Sequence, residues 1–191
     1  MFAGLRPLAA PSSEGKKTKE ISRSHKLIRE KSGLITIIGG KWTTYRKMAQ
    51  DTLDLAIRYM HIPTKDCITE RYQIHGSRKN PDFSDPLYVY GTDADEIRNL
   101  VASSPAMAEK LHPDYAYTVG EVTWLVRNEM PRTLEDVLAR RLRILFLDAR
   151  AAMAMAPKVA GILATEWGKD ETWTSAQVKA FNEVASNYIL N

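Results

Sequence analysis

The sequence predicts a mainly α-helical protein, with short β segments near the N-terminus followed by a C-terminal helical bundle. Three observations carry that prediction. β-branched residues gather at Ile35, Thr36, Ile37 and Ile38, shortly after a second apolar stretch, and strands favour such residues. Apolar residues then recur at helical spacing from Ala49 to Met60. From Asp93 onward helical spacing dominates, with no longer period repeated.

The elements follow in order. Residues 2–8 read as a short extended segment ending at Pro7, and residues 11–20 as a polar loop bearing lysines. Lys26 to Arg29 and Leu34 to Ile38 are strand candidates, and Ser32-Gly33 supplies the turn of a hairpin. A helix to about Met60 comes next, its face marked by Ala49, Leu53, Ala56, Ile57 and Met60, with Thr43 or Thr44 as its cap. Pro63, Gly76, Pro81, Pro86 and Gly91 then interrupt any period. The expected organisation is residues 1–62 with the strands and one helix, a linker over 63–90, and an all-helical domain over 91–191.

Within that domain Val122, Leu125, Val126 and Met130 form one stripe. Leu134, Val137, Leu138, Leu142, Leu145 and Phe146 form another, and Thr133 with Asp136 resembles a capping box at its start. The alanine- and methionine-rich run from Ala149 to Trp167 reads as a helix stopped by Gly168. Val178, Phe181, Val184 and Tyr188 mark the last helix, expected to start at Thr174 or Ser175.

Composition narrows the function classes. Hydrophobic residues make up 44% and charged residues 26% of the 191, which fits a globular chain and excludes wholesale disorder. The net charge of +4 comes from 27 basic and 23 acidic residues thoroughly mixed, a pattern that argues against nucleic-acid binding. Cys67 is the only cysteine, which excludes an intrachain disulfide or a thiolate cluster and suits a reducing compartment. Met1 to Pro7 shows no apolar run of signal-peptide length. Asp148, Arg150 and Lys158 break the longest apolar stretch, so no membrane span is expected. His25, His61, His75 and His112 share no metal-ligand spacing, and no metal is expected; His25, just before a strand, is the one to follow.

The chemistry-bearing segment is Leu34 to Tyr45: strand, Gly39-Gly40, Lys41, Trp42, Thr43-Thr44, helix. A helix start carries free backbone N–H groups and about half a positive charge, and so attracts anions. Paired glycines let a ligand approach the backbone, and Lys41 adds a full charge. The arrangement suits a phosphate or an anionic reduced ring. A nucleotide-triphosphate loop is excluded, because Ile35 and Trp42 stand where glycine and Ser or Thr are required. On spacing alone a tight ligand-free turn is an equal reading. Arg6, beside Pro7, suits bidentate binding of phosphate or carboxylate, although from these residues alone a structural ion pair is the stronger reading.

Gly4-Leu5-Arg6-Pro7-Leu8, Ile21-Ser22-Arg23, Ser32-Gly33-Leu34-Ile35-Thr36 and Gly39 to Arg46 follow one another as in FAD-dependent glycerol-3-phosphate dehydrogenases. Tyr117 to Val122 and Thr133 to Arg141 resemble the same family's C-terminal helical domain. The resemblance implies that the N-terminal strands are the end of a truncated FAD-binding domain. It also implies oxidation of sn-glycerol 3-phosphate to dihydroxyacetone phosphate with FAD as cofactor, and a quinone or, in related oxidases, oxygen as acceptor. Arg6 and Lys41 would then be catalytic, and Gly39, Gly40, Trp42, Thr43 and Thr44 would border the flavin. A cytoplasmic protein with peripheral contact at the membrane's cytoplasmic face is implied, and a homo-oligomer is left open. The family's Gly-x-Gly-x-x-Gly is absent from these residues, so the chain alone is expected neither to retain FAD nor to turn over substrate. The alternative is a helical module for self-association or partner docking, without catalysis.

Overall fold

The computed structural model describes residues 24–189, and the chain divides into two compact units between Gln73 and Ile74. That division falls inside the 63–90 stretch. Each unit has its own logic.

In the first unit β1 (His25–Arg29) pairs antiparallel with β2 (Ile35–Gly39), His25 opposite Gly39 and Arg29 opposite Ile35. The Gly33 N–H donates to the Glu30 carbonyl at 3.0 Å and closes the turn. After β2 come a single 3-10 turn, Trp42–Thr44, and then α1 (Tyr45–Met60). α1 stops at His61, whose φ of 54° is left-handed. Two contacts tie hairpin to helix. His25 Nε2 lies 2.9 Å from Asp51 Oδ2, and the Arg29 guanidinium sits 3.2 Å from the centre of the Tyr59 ring. The expected apolar face of α1 is in register but only partly covered: Ala56 and Ile57 are half-buried, while Leu53 is 61% and Met60 65% exposed. No described residue of this unit is buried.

The second unit opens with an irregular segment leading to a 3-10 stretch at Tyr88–Asp93. α2 (Ala94–Ala102), α3 (Pro105–Ala108) and α4 (Val119–Asn128) follow, then a π-helical turn at Asp136–Arg141. α5 (Ile144–Leu147), α6 (Ala149–Trp167) and α7 (Glu171–Ser186) complete it. Ile97, Leu125, Leu138, Met155, Leu163 and Phe181 are among the side chains fully or almost fully withdrawn from water in one contiguous core. Ala152, Ala156 and Ala160 on α6 are also buried, and their small size lets neighbouring helices approach.

Side chains start four of the helices here, while α2 and α5 begin without one. Ser104 accepts from the Met107 N–H, Thr118 from Glu121, Asp148 from Ala151 and Asp170 from Trp173. Asp170 therefore sets the start of the last helix one residue ahead of Glu171, earlier than the expected Thr174 or Ser175. Thr133 and Asp136 form the expected reciprocal box, with Asp136 Oδ2 accepting the Thr133 N–H at 3.0 Å and Thr133 Oγ1 the Asp136 N–H at 3.2 Å. The stripe from Leu134 to Phe146 is not one helix. Arg143 is left-handed, with φ of 60°, so α5 starts afresh and Phe146 turns to solvent. Met130 likewise leaves its stripe, because α4 has ended and φ there is 47°.

Candidate functional site

The corner between β2 and α1 holds six of the seven residues singled out above; Arg6 lies outside the described residues. Gly39 and Gly40 have φ of 77° and 83°, which L side chains rarely adopt. A Cβ on Gly40 would also lie 2.5 Å from Met48 Sδ and 3.3 Å from His25 Cβ. The left-handed backbone is what requires glycine at both positions; at Gly40 the Met48 side chain would also have to shift, and at Gly39 a Cβ would lie 3.0 Å from the Ser24 carbonyl oxygen. Lys41 returns to extended backbone, with φ −134° and ψ 152°.

Thr44 closes the turn. Its hydroxyl donates to the Lys41 carbonyl at 3.0 Å and accepts the Lys41 N–H at 3.2 Å. Being turned back, it caps none of the leading amides of α1, and no other side chain does so. The first turn of α1 contains no acidic residue. Lys47 is neutralised by Asp51 at 2.8 Å, and Arg46 is held by Gln50 at 3.0 Å. Lys41 has no ion-pair partner among the described residues. Trp42, 87% exposed, leans toward Tyr45 with ring centres 5.7 Å apart. Thr43 is exposed beside it.

A 3-10 turn leading straight into α1, an ammonium without an ion-pair partner among the described residues and two exposed aromatic rings share this corner. Such a surface attracts an anion electrostatically and offers apolar faces to a planar group. The residues fit a flavin's electron-rich end in charge and shape, with Lys41, Trp42, Thr43 and Thr44 available to it. Gly39 and Gly40 act by turning the chain. Beside the corner an open apolar groove of about 400 Å³ is lined by Ile37, Tyr45, Met48 and Leu53, among others.

His25 is engaged by Asp51. With Lys47 it lowers the pKa of Asp51, the Lys47 hydrogen bond being the larger cause, and it serves to fasten the hairpin to α1. Among the described residues no group of three His, Cys, Asp or Glu is placed to hold a metal ion.

Sequence reasoning passed over Glu121. It is only 4% exposed, and its Oε1 accepts the Tyr90 hydroxyl at 2.7 Å. Burial pushes the carboxyl above its usual value, while Tyr90 and the Thr118 backbone hold it back. Burial, then Glu121, pushes the Tyr90 hydroxyl far upward, so it stays a donor. The legible signal was Thr118-x-x-Glu121 ahead of an apolar run, a capping box of the kind recognised at Thr133.

Residues 34–174 match the family described as the C-terminal domain of alpha-glycerophosphate oxidase. Curated relatives extend the match. A Caenorhabditis elegans protein named "Probable glycerol-3-phosphate dehydrogenase, mitochondrial" is 34% identical over 98% of this chain and 28% of its own length. A Dictyostelium discoideum protein of the same name is 34% identical over 98% of this chain and 32% of its own. The Mesocricetus auratus "Glycerol-3-phosphate dehydrogenase, mitochondrial" is 29% identical over 98% and 28%. The chain spans about a third of the length of the curated relatives it matches.

Proposed function

The chain belongs to the family of the C-terminal domain of alpha-glycerophosphate oxidase, and from that membership we propose that it forms part of an FAD-dependent glycerol-3-phosphate dehydrogenase. The protein would oxidise sn-glycerol 3-phosphate to dihydroxyacetone phosphate and pass the electrons to a quinone. The observation that carries this reading is the β2–α1 corner, which lies inside the matched region and presents Lys41 at the head of the 3-10 turn that leads into α1.

Flavin, when bound, supplies a two-electron acceptor for the hydride that leaves the substrate carbinol carbon. The chain's own residues do the rest. Lys41 holds negative charge near the helix start, where the backbone dipole adds about 0.3–1 kcal/mol for an exposed anion. The aromatic faces of Trp42 and Tyr45 exclude water from one side of a planar group. Thr44 keeps Lys41 in extended backbone through its two hydrogen bonds. Arg6 is assigned substrate phosphate or the reacting oxygen through its fork of donors. Delivery to a quinone calls for peripheral membrane contact; among the described residues no helix is long and apolar enough to cross a membrane.

The test uses the full-length protein. Lys41→Ala and Arg6→Ala should each lower kcat/KM for glycerol 3-phosphate by at least about tenfold, the size of one lost hydrogen bond to a charged group. Lys41→Ala should also lower the flavin content read from visible absorbance. Unchanged kinetics and unchanged flavin content in both variants would remove the proposal.

A further inference from the structure

A cleft of about 390 Å³ opens between α2, α3 and the start of α4, and all of its lining residues belong to the second unit. Its walls are apolar: Ile97 and Val101 from α2, with Ala102 and Ala108 at the rim. Gly120 brings α4 against them, since a Cβ there would lie 2.8 Å from Val101 Cγ2 and 3.0 Å from the Met107 carbonyl oxygen. The volume suits roughly a dozen non-hydrogen atoms at about 30 Å³ each, within the usual range of small-molecule sites.

Glu121 lines this cleft while being almost wholly withdrawn from water. The Tyr90 hydroxyl occupies one of its oxygens at 2.7 Å, and the Thr118 backbone is also hydrogen-bonded to it. A carboxylate carries about four acceptor positions, so capacity for another donor remains. The other charges of the cleft satisfy each other: Arg98 pairs with Asp85, which shares the lining, and with Asp95. No free cation is left among the described lining residues to receive an anion. The apolar walls disfavour a strongly hydrated head group.

We propose that this cleft binds a compact neutral molecule, a hydrocarbon body bearing one hydroxyl that donates to Glu121. The assignment does not rest on the flavin reading, because it uses no residue of the β2–α1 corner. It combines concavity, an apolar lining and one convergent polar group, the features that small-molecule sites share.

Calorimetric titration of the 191-residue chain with 2-naphthol, and with 2-methoxynaphthalene as the matched molecule lacking a donor, tests it. The expected result is one saturable site per chain, with 2-naphthol bound at least about tenfold more tightly. Ala102→Trp, at an exposed rim position, should abolish binding while the helical circular dichroism is kept. Glu121→Gln should narrow the preference for the hydroxyl, and if that variant does not fold, the ligand pair and Ala102→Trp still decide. Absence of saturation, or equal affinity for the two ligands, would overturn the proposal. So would binding that survives Ala102→Trp but is lost on Leu53→Glu, which would place the ligand in the first unit's groove.

Discussion

The two units of this chain are built to different standards of completeness. The second buries a contiguous core and starts four of its helices on capping side chains. The first has no buried residue among those described, and α1 begins without a side-chain cap. Local geometry is equally good in both, with a five-residue register in the hairpin and regular turns throughout α1. What differs is the layer each element packs against. Among its described residues the first unit offers one hairpin and one helix, which bury little apolar surface against the conformational entropy of ordering them. Among the described residues, then, the first unit leaves part of an apolar helix face exposed, whereas the second gathers its large apolar side chains into one core.

The sharpest way to break this contrast is a pair of leucine truncations. Leu125→Ala, at a fully buried position on α4, should cost about 3–5 kcal/mol. Leu53→Ala, largely exposed on α1, should cost under about 0.5 kcal/mol. Urea unfolding followed by circular dichroism measures both, and comparable losses would mean that the first unit has a core after all.

Gly40→Ala probes the corner that the first unit does complete. The left-handed backbone and the contact with Met48 predict a cost of about 1–3 kcal/mol. Amide hydrogen exchange in β1 and β2 would report it, and Met48→Ala in the same chain should recover part of the loss. Unaltered exchange would show that the turn tolerates a side chain.

A smaller effect is expected from Thr118→Ala, which removes the cap of α4 and should cost about 1 kcal/mol in thermal unfolding. The same change at Thr44 should leave the leading amides of α1 as they are, since Thr44 bonds Lys41 and not the helix. Equal destabilisation at both sites would erase the distinction between capped and uncapped starts.

The smallest expected signal is a pH dependence inside the second unit. Burial raises the carboxyl of Glu121, so the folded state binds its proton more tightly than the unfolded chain. The penalty for burying its charge is full above the raised value and eases as pH falls through it. Glu121→Gln, still able to accept from Tyr90, should therefore show its largest gain over wild type above the raised value, shrinking as pH falls toward the ordinary carboxyl value of 4.5. Asp148 runs the opposite way: hydrogen bonds from the Ala151 N–H and the Tyr115 hydroxyl lower its pKa. Its contribution is present above the ordinary value of 3.8 and is lost as pH falls through the lowered one. A gap between Glu121→Gln and wild type that ignores pH would contradict the assignment.

Most of the architecture was legible in the linear pattern, because local rules act over a few residues. The hairpin, the end of α1 at Met60, and α6 with its stop at Gly168 follow from β-branching, helical spacing and glycine. Even so, the apolar period of α1 could not say whether its face is covered, since period encodes which side is apolar and not what lies opposite. The breaks at Met130 and Arg143 were hidden for a related reason. Left-handed backbone at a non-glycine residue is imposed by the packing on either side of it, and no local preference announces it.

The candidate corner shows the same division. Gly-Gly-Lys-Trp-Thr-Thr marks a strand-to-helix turn in sequence, but only the folded chain shows that both glycines are left-handed, that Met48 crowds Gly40 and that Thr44 bonds back to Lys41. Sequence alone determined the family, the helical character and the position of the electropositive turn, all of which depend on residue type and spacing. Tertiary structure decided which apolar faces are buried and where Glu121 finds Tyr90. Those outcomes depend on contacts between residues distant along the chain, whose free energies exist only once the helices have packed.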